Sequence, residues 1–389
     1  MRATESTPQG VVAGTISFTL GHPDRSLLPL SDIAAAADAV LQGPEALAML
    51  QYGPERGTPS LIEFLVERLN RTENLAVGTE NLMLISGSTH GVDMVCRLFV
   101  GAGETVLVEA PSYRDALHIL RDHKTSLTAV PIDEHGVIVA AMDEILARLQ
   151  REGKSPKLFY TIPNFQNPTG LTTTRERRAN VLALANAHGF RILEDDVYRE
   201  IAFEDETPPS YFELAGGKNV LRIGSFSKTL APGLRLGWLA GEPADIDRCL
   251  NCGTTQMGGG ANPFVAHIIA TYCRSGKWDA HIARLQNAYR RRRDAALAAL
   301  EAHMPKGVTW TIPLGGYFLW LMLPPAVEAT VLQEEVRARG VFFSAGPGFF
   351  VNPTDGKQYL RLAYSFVSLD ELELGIEILA KAIIRLARE

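Results

Sequence analysis

Cysteine is scarce in this 389-residue chain: there are four, Cys96, Cys249, Cys252 and Cys273. Cys249 and Cys252 form a C-x-x-C, but no second pair exists to complete a zinc site. The pair also comes too late in the chain for a redox motif of the early βαβ kind, and its spacing suits one face of a helix. Positive charge is not in excess. The net charge of −6 and pI near 5.9 give no footprint for nucleic acid or an acidic membrane surface. No apolar run is long enough to span a bilayer. Met1–Thr7 lacks a basic start leading into an apolar run, so no signal peptide is expected and the default location is cytoplasmic. No G-x-G-x-x-G follows the first strand, no G-x-x-x-x-G-K-[ST] occurs, and there are no repeats or low-complexity stretches.

What remains is an ordinary globular composition, 46% hydrophobic and 21% charged, long enough for a large core or two domains. Strands are predicted at "NLMLIS" (81–86), "TVLVEAPSY" (105–113), "SLTAVPID" (126–133), "KLFYTIPNFQNPTG" (157–170, ending in a polar loop), "FRILEDDVY" (190–198) and "NVLRIGSFS" (219–227), alternating with helical segments. That order predicts an α/β domain with a mostly parallel, seven-stranded sheet buried on both faces. Beyond about residue 275 the pattern becomes one long helix, hairpin-like strands and a closing helix from Ser368. The expected division is residues 45–280 as the large domain, 281–389 as a smaller α+β domain, and 1–44 packing with the latter.

In parallel sheets, ligands sit at the carboxyl ends of the strands. Polar residues gather there: Ser88 and Thr89, Tyr113, Asn167, Asp195 and Tyr198, Ser225 and Lys228. A lysine in an apolar stretch can lose its charge and attack a carbonyl. Taken alone, Lys228 would be read as an ion-paired lysine. Asp195 can hold a ring nitrogen protonated, and Tyr198 can bond a ring phenolate. The run "EDD" (194–196) is equally compatible with a metal cluster or a helix start, although His188 lies on the wrong side of the strand. Ser88 and Thr89 open a helix, where backbone amides either bind phosphate or are simply capped. Ser225 and Ser227 offer hydroxyls, Arg235 a fork for phosphate, and Tyr113 a face for stacking. Arg361 can clamp a carboxylate or sit in a salt bridge. "MGGGAN" (257–262) reads as a flexible loop near the site. His90 reads as a helix-packing residue.

Together, "NPTG" (167–170), "EDDVYRE" (194–200), "SFSKTLAPGLRLGW" (225–238), "GGYFLW" (315–320) and "LRLAYS" (360–365) resemble the fold-type I pyridoxal-phosphate enzymes. Within them the chain is most similar to the class I/II aminotransferases of the 2-aminoadipate and kynurenine group and to the effector domains of MocR-type regulators. The resemblance covers nearly all the chain from Ile16. It implies that Lys228 carries pyridoxal 5′-phosphate as a Schiff base and later moves a proton. Asp195 would pair with the ring nitrogen, Tyr198 and Asn167 with the phenolic oxygen, and Tyr113 would stack on the ring. Ser88, Thr89, Ser225, Ser227 and Arg235 would hold the phosphate. Tyr52 would reach the site of a neighbouring subunit in a homodimer. Arg361 and Asn167, with the Gly21 backbone nearby, would hold the substrate α-carboxylate.

The implied function is ping-pong transfer of an amino group between an L-amino acid and a 2-oxo acid. The alternatives are elimination, cyclisation or other carbanion chemistry on the same cofactor, S-adenosylmethionine being one candidate substrate, and a non-enzymatic ligand sensor. Three departures from the aminoadipate relatives bear on substrate choice or phosphate binding. The segment before Ile16 is too short for their substrate-contacting helix, Leu20 replaces a glycine, and Thr89-His90 replaces a Gln-Gln pair.

Overall fold

The computed structural model describes residues 14–204, 207–258 and 260–388. The expectations for Met1–Thr7, for the rest of the segment up to residue 13 and for Gly259 lie outside the described residues. In chain order the strands are β1 (Ile16–Ser17), β2 (Leu82–Ile85), β3 (Thr105–Ala110), β4 (Ser126–Asp133), β5 (Gly136–Val137), β6 (Pro156–Thr161) and β7 (Arg191–Asp195). They continue with β8 (Val220–Ser225), β9 (Gly237–Ala240), β10 (Thr309–Trp310), β11 (Phe318–Met322), β12 (Val341–Phe342), β13 (Ser344–Ala345) and β14 (Tyr359–Ala363).

The large sheet has the order β2-β9-β8-β7-β6-β3-β4-β5. Its central strands β8, β7, β6, β3 and β4 are all parallel, and β9 runs antiparallel between β8 and β2. The sheet therefore has eight strands, not the expected seven. The extra one, β5, is two residues folded back on β4, with Ile132 opposite Val137. So short a strand leaves no hydrophobic period to read. The parallel strands are nearly continuous apolar runs: Val106, Leu107 and Val108 in β3, and Leu158, Phe159 and Tyr160 in β6, are fully buried. Helices on both faces bury them, as crossover connections require. The helix Arg175–His188 starts at Thr174, whose hydroxyl takes the Arg177 amide, and stops at Gly189 in the left-handed conformation.

The C-terminal part forms a four-stranded sheet, β10-β11-β14-β13, with the helices Trp278–His303 and Leu369–Leu386. Ser368 and Glu371 form a reciprocal capping box at the start of the second helix. The N-terminal strand β1 pairs in parallel with β12. Phe18 donates its amide to Phe342 (2.8 Å) and accepts that of Ala363 (2.9 Å). The next helix, Leu30–Leu41, packs instead on Pro263–Arg274 of the large sheet's half.

The C-x-x-C does not share a helix, as its spacing had suggested. Cys249 ends the helix Pro243–Leu250, and Cys252 caps the next short turn of helix. All four cysteines are buried and free. Between the pair, Asn251 folds its side-chain amide onto the Asp247 carbonyl (2.9 Å), which also accepts its backbone amide, and the helix stops there.

One buried ion cluster joins a helix to the sheet inside the large half. Arg222 of β8 is fully buried, bonded twice to Glu73 (2.8 and 3.0 Å) and to Asp196 (2.8 Å). It ties the end of the helix Pro59–Thr72 to the sheet. Replacing one partner of such a cluster leaves buried charge uncompensated. Arg222→Met is expected to cost about 3–5 kcal/mol, read as a lower denaturant midpoint for the first unfolding transition. An unchanged midpoint would refute this role.

Candidate active site

Four consecutive parallel strands of the sheet deliver one polar loop each to the same edge. Tyr113 follows β3, Asn167 follows β6, Asp195 ends β7, and Lys228 stands three residues beyond β8. The Lys228 ammonium faces a cavity of about 180 Å³ lined also by Leu20, Tyr113, Asn167, Tyr198 and Arg361. Its Nζ donates to the Gly21 carbonyl (2.7 Å), and its own carbonyl accepts the Tyr317 hydroxyl (2.8 Å). Nζ lies 5.7 Å and 5.9 Å from the ring centres of Tyr198 and Tyr317. Burial disfavours the charged form, and nearby Arg361 and Arg235 add repulsion. Together they pull the Lys228 pKa down to about 8, against the pull of Asp195 and Asp115.

The three acids of "EDD" diverge. Glu194 accepts the amides of Tyr211 and Phe212 (2.9 and 3.0 Å) at a helix start. Asp196 is held by Arg222 and by the Asn164 side-chain amide (2.5 Å). Asp195 accepts the Tyr160 hydroxyl on Oδ2 (2.8 Å), while its buried Oδ1 has no hydrogen-bond partner among the described residues. Burial, helped by Asp196, pushes the Asp195 pKa up to about 6, against the Tyr160 hydrogen bond and Lys228. Among the described residues no cluster of three or more His, Cys, Asp or Glu side chains could hold a metal ion. The metal reading of this run therefore finds no support in the geometry.

Arg361, in β14, is buried between the rings of Phe318 (4.4 Å) and Phe349 (5.1 Å). Its Nη1 donates to Asn167 Oδ1 (2.8 Å), and its Nη2 donates to the Thr19 carbonyl (2.7 Å) and Ser344 Oγ (3.2 Å). Its Nε has no partner. Asn167 also hydrogen-bonds Tyr198, a phenol whose ionisation burial pushes far above its ordinary range. Tyr113 donates its hydroxyl to Asp115 (2.8 Å).

A second cluster borders the first. Gly87, at φ +84°, turns the chain from β2 into the helix Ser88–Phe99, so that Ser88 and Thr89 open that helix. Ser225 Oγ accepts the Ser227 amide (3.1 Å). Among the described residues Arg235 makes only long contacts, to Ser227 Oγ (3.4 Å) and the Pro232 (3.4 Å) and Ser86 (3.5 Å) carbonyls, and so keeps donors to spare. Helix-terminal amides, hydroxyls and a guanidinium form an anion cradle. His90 accepts the Ser86 amide on Nδ1 (3.1 Å), which fastens the turn.

Tyr52 does not meet either cluster within the chain. It is 86% exposed and lines a separate, wider groove with Met257 and Phe264. Of the loop expected near the site, residues 257–258 and 260–262 lie along that groove, with Gly258 against the Tyr52 ring. Three residues near Lys228 were not legible in the sequence. Tyr160 looks like any core strand residue. Tyr317 hides in "GGYFLW" as an apolar position. Asp115 reads as a first-turn helix acid.

The family described as "Aminotransferase class I and II" matches residues 21–379. The aromatic-amino-acid aminotransferase 1 of Thermococcus litoralis is 36% identical over 95% of this chain and 88% of its own length. The kynurenine aminotransferase of Pyrococcus horikoshii, solved in complex with PMP, superposes with a TM-score of 0.91 at 32% identity, covering 96% of this chain and 91% of that one. The α-aminoadipate aminotransferase of Thermus thermophilus, complexed with N-(5′-phosphopyridoxyl)-L-leucine, has a TM-score of 0.88 at 31% identity, covering 99% and 96%.

A Cβ at Gly87 would stand 2.6 Å from Arg235 Nη2, on a backbone already at φ +84°. Gly87→Ala is therefore expected to cost about 1–3 kcal/mol and to displace the guanidinium. Thermal unfolding with and without inorganic phosphate checks this. The parent protein should gain melting temperature from phosphate, and the variant should lose most of that gain.

Proposed function

The chain belongs to the class I and II aminotransferase family, and from that premise we propose how its residues divide the reaction. It is a pyridoxal-phosphate-dependent aminotransferase acting on amino acids. Nothing in its relatives supports the elimination or cyclisation alternative. One observation carries the assignment of the site: an amine pulled down to about 8, Lys228, stands within electrostatic reach of a buried carboxylate, Asp195, one of whose oxygens is unused.

The residues suit that cofactor. The partnerless Oδ1 of Asp195 suits a protonated ring nitrogen, and the turn at Gly87 with Ser88, Thr89, Ser225, Ser227 and Arg235 suits a phosphate dianion. When bound, pyridoxal 5′-phosphate supplies an aldehyde that takes up amino groups and a ring that accepts electrons. Lys228 holds the cofactor between turnovers and, once freed, takes the proton from the substrate Cα and returns it elsewhere. An amine near 8 exists partly neutral at neutral pH, so it can serve as base and then as acid. Tyr160 fixes Asp195 by its other oxygen, so the free one keeps a single direction.

Tyr198 and Asn167 hold the phenolic oxygen, and Tyr113 covers a ring face. Arg361 pairs with the α-carboxylate in a desolvated pocket, where such a contact is strong, with Asn167 and the Gly21 backbone alongside. The two half-reactions share this one site, giving ping-pong exchange of an L-amino acid for a 2-oxo acid.

The active unit in this reading is a homodimer. Tyr52 is 86% exposed, and Leu47 (83%), Leu50 (63%) and Met257 (85%) are also exposed, large apolar side chains that a partner subunit would cover. In the dimer, the partner subunit's Tyr52 reaches the phosphate. The domain division at 44/45 and 280/281 belongs to the same reading, as does a cytoplasmic location, which four free thiols suit. Among the described residues no helix is long and apolar enough to cross a membrane.

Lys228→Ala is expected to abolish both the visible absorbance of the covalently held cofactor and its conversion to the amine form by amino acids. Conversion that survives, or ammonia released in its place, would sink the assignment. Only the neutral amine reacts, so covalent loading of the purified apo-protein should slow about tenfold for each pH unit below about 8 and level off above it. Stopped-flow absorbance across pH 6–9 reads this, and a flat profile would refute the lowered lysine.

A further inference from the structure

Transamination gives no task to the C-x-x-C pair. Cys249 lies at the end of the helix Pro243–Leu250, and Cys252 stands just ahead of the short helix Gly253–Gln256. The chain turns between them, and the Cys252 amide donates to the Cys249 carbonyl (3.5 Å). A turn of this kind keeps its end Cα atoms within about 7 Å, close to the roughly 4.4–6.8 Å that a disulfide spans. Both thiols are free, and among the described residues no metal-binding cluster competes for them.

The two thiols are unlike. Cys252 is the most exposed of the four cysteines, at 8%, and its neighbours Asn251, Gly253 and Thr254 are exposed. Its Sγ lies 3.3 Å from Thr255 Oγ1 and 3.8 Å from Arg97 Nη2. The other arm of that guanidinium donates to Thr254 Oγ1 (2.9 Å), which aims it at the sulfur. Burial opposes a charge on Cys252, but Thr255 and Arg97 outweigh it and draw the thiol below its ordinary range.

Cys249 is fully buried and pushed the other way, up to about 12, by burial and then by the negative charges of Cys252 and Asp245, against Arg248 and Arg97. Burial also raises Cys96, to about 12, and Cys273. A donor-stabilised sulfur near the surface, with a protonated thiol one turn behind it, matches an attacking and a resolving cysteine. Arg97, Cys249 and Cys252 lie outside the linings of both the Lys228 cavity and the Tyr52 groove.

We propose that Cys249 and Cys252 form a reversible dithiol–disulfide couple, oxidised by a low-molecular-weight disulfide of the glutathione disulfide class. The Cys252 thiolate attacks one sulfur of that disulfide. The small molecule's S–S bond breaks, a mixed disulfide forms on Cys252, and the first small thiolate leaves. Capping removes the Cys252 charge that opposed ionisation of Cys249. Cys249 then gives its proton to the departed thiolate and attacks the Cys252 sulfur, expelling the second small thiolate, which takes a proton from solvent. Two protein thiols are oxidised, and one small disulfide becomes two thiols.

The cofactor-loaded protein is equilibrated in glutathione buffers from reducing to oxidising, quenched in acid, unfolded and alkylated, and its mass and peptides are read. The parent should pass from four alkylatable thiols to two, the lost pair mapping to linked Cys249 and Cys252, and dithiothreitol should restore all four. Cys249→Ser should instead retain one glutathione on Cys252, and Cys252→Ser should keep Cys249 free. Arg97→Gln should slow capture of glutathione by Cys252 about threefold or more. Four thiols surviving the oxidising end, oxidation spread equally to Cys96 and Cys273, or a glutathione that stays on Cys252 of the parent would overturn the couple. The parent measurement decides the matter even if a variant fails to fold.

Discussion

The guanidinium of Arg361 is the point on which the two halves of this protein agree. It is donated by β14 of the C-terminal sheet and bonds Asn167 from the large sheet, Thr19 from the N-terminal segment and Ser344 from β13. Four stretches distant in sequence must be correctly placed before this charge is satisfied. A buried, unpaired guanidinium is strongly unfavourable, so misassembly of any one of them is penalised. The ring faces of Phe318 and Phe349 exclude water from it. Burial draws its pKa down to about 10, which leaves it charged and short of counter-charge. That shortage is useful. An arginine already neutralised by a carboxylate would have little left for a substrate, whereas this one is held mainly by neutral acceptors.

The same economy of partners sorts the acids along the sheet edge. Glu194 is spent on two helix amides and Asp196 on Arg222, which leaves Asp195 between them with one oxygen engaged and one idle. Glu109, in β3, is spent on Thr161, the Ile162 amide and Gln166, and burial raises its pKa to about 7. Gln166 also bonds the Pro111 carbonyl and receives the Thr169 amide and hydroxyl, so this network fixes the loop that presents Asn167. Chemistry is left to the groups whose partners run out.

Much of this was legible in the sequence, for reasons that differ by residue. Lys228 and Arg235 stand out because charge inside an apolar strand-and-turn segment has few structural uses. The parallel strands stand out because burial on both faces makes them continuous apolar runs. The strand β5 was missed because two residues carry no period. Tyr160 and Tyr317 were missed because their rings satisfy the core pattern and only their hydroxyls do otherwise, which no spacing rule reveals. The C-x-x-C misled in another way. Its helical spacing is real, but one helix ends at Leu250 and the next short turn starts after Cys252.

The polar wall opposite Lys228 is the part of the site that the fold constrains least. Lys228, Asp195 and Asn167 sit on strands or loops locked by buried hydrogen bonds, where a change of residue would disturb the core. Arg114 is half exposed on a first helical turn, and the half-buried ring of His22 stands edge-on to Phe366 in the cavity wall. Neither side chain is needed to close a hydrogen-bond network or fill the core. A sequence can alter both and keep the fold, the cofactor cradle and the proton-carrying lysine. Positions of this kind leave no periodic or motif signature, so they come to light only once the chain is folded and the cavity's unspent donors can be counted.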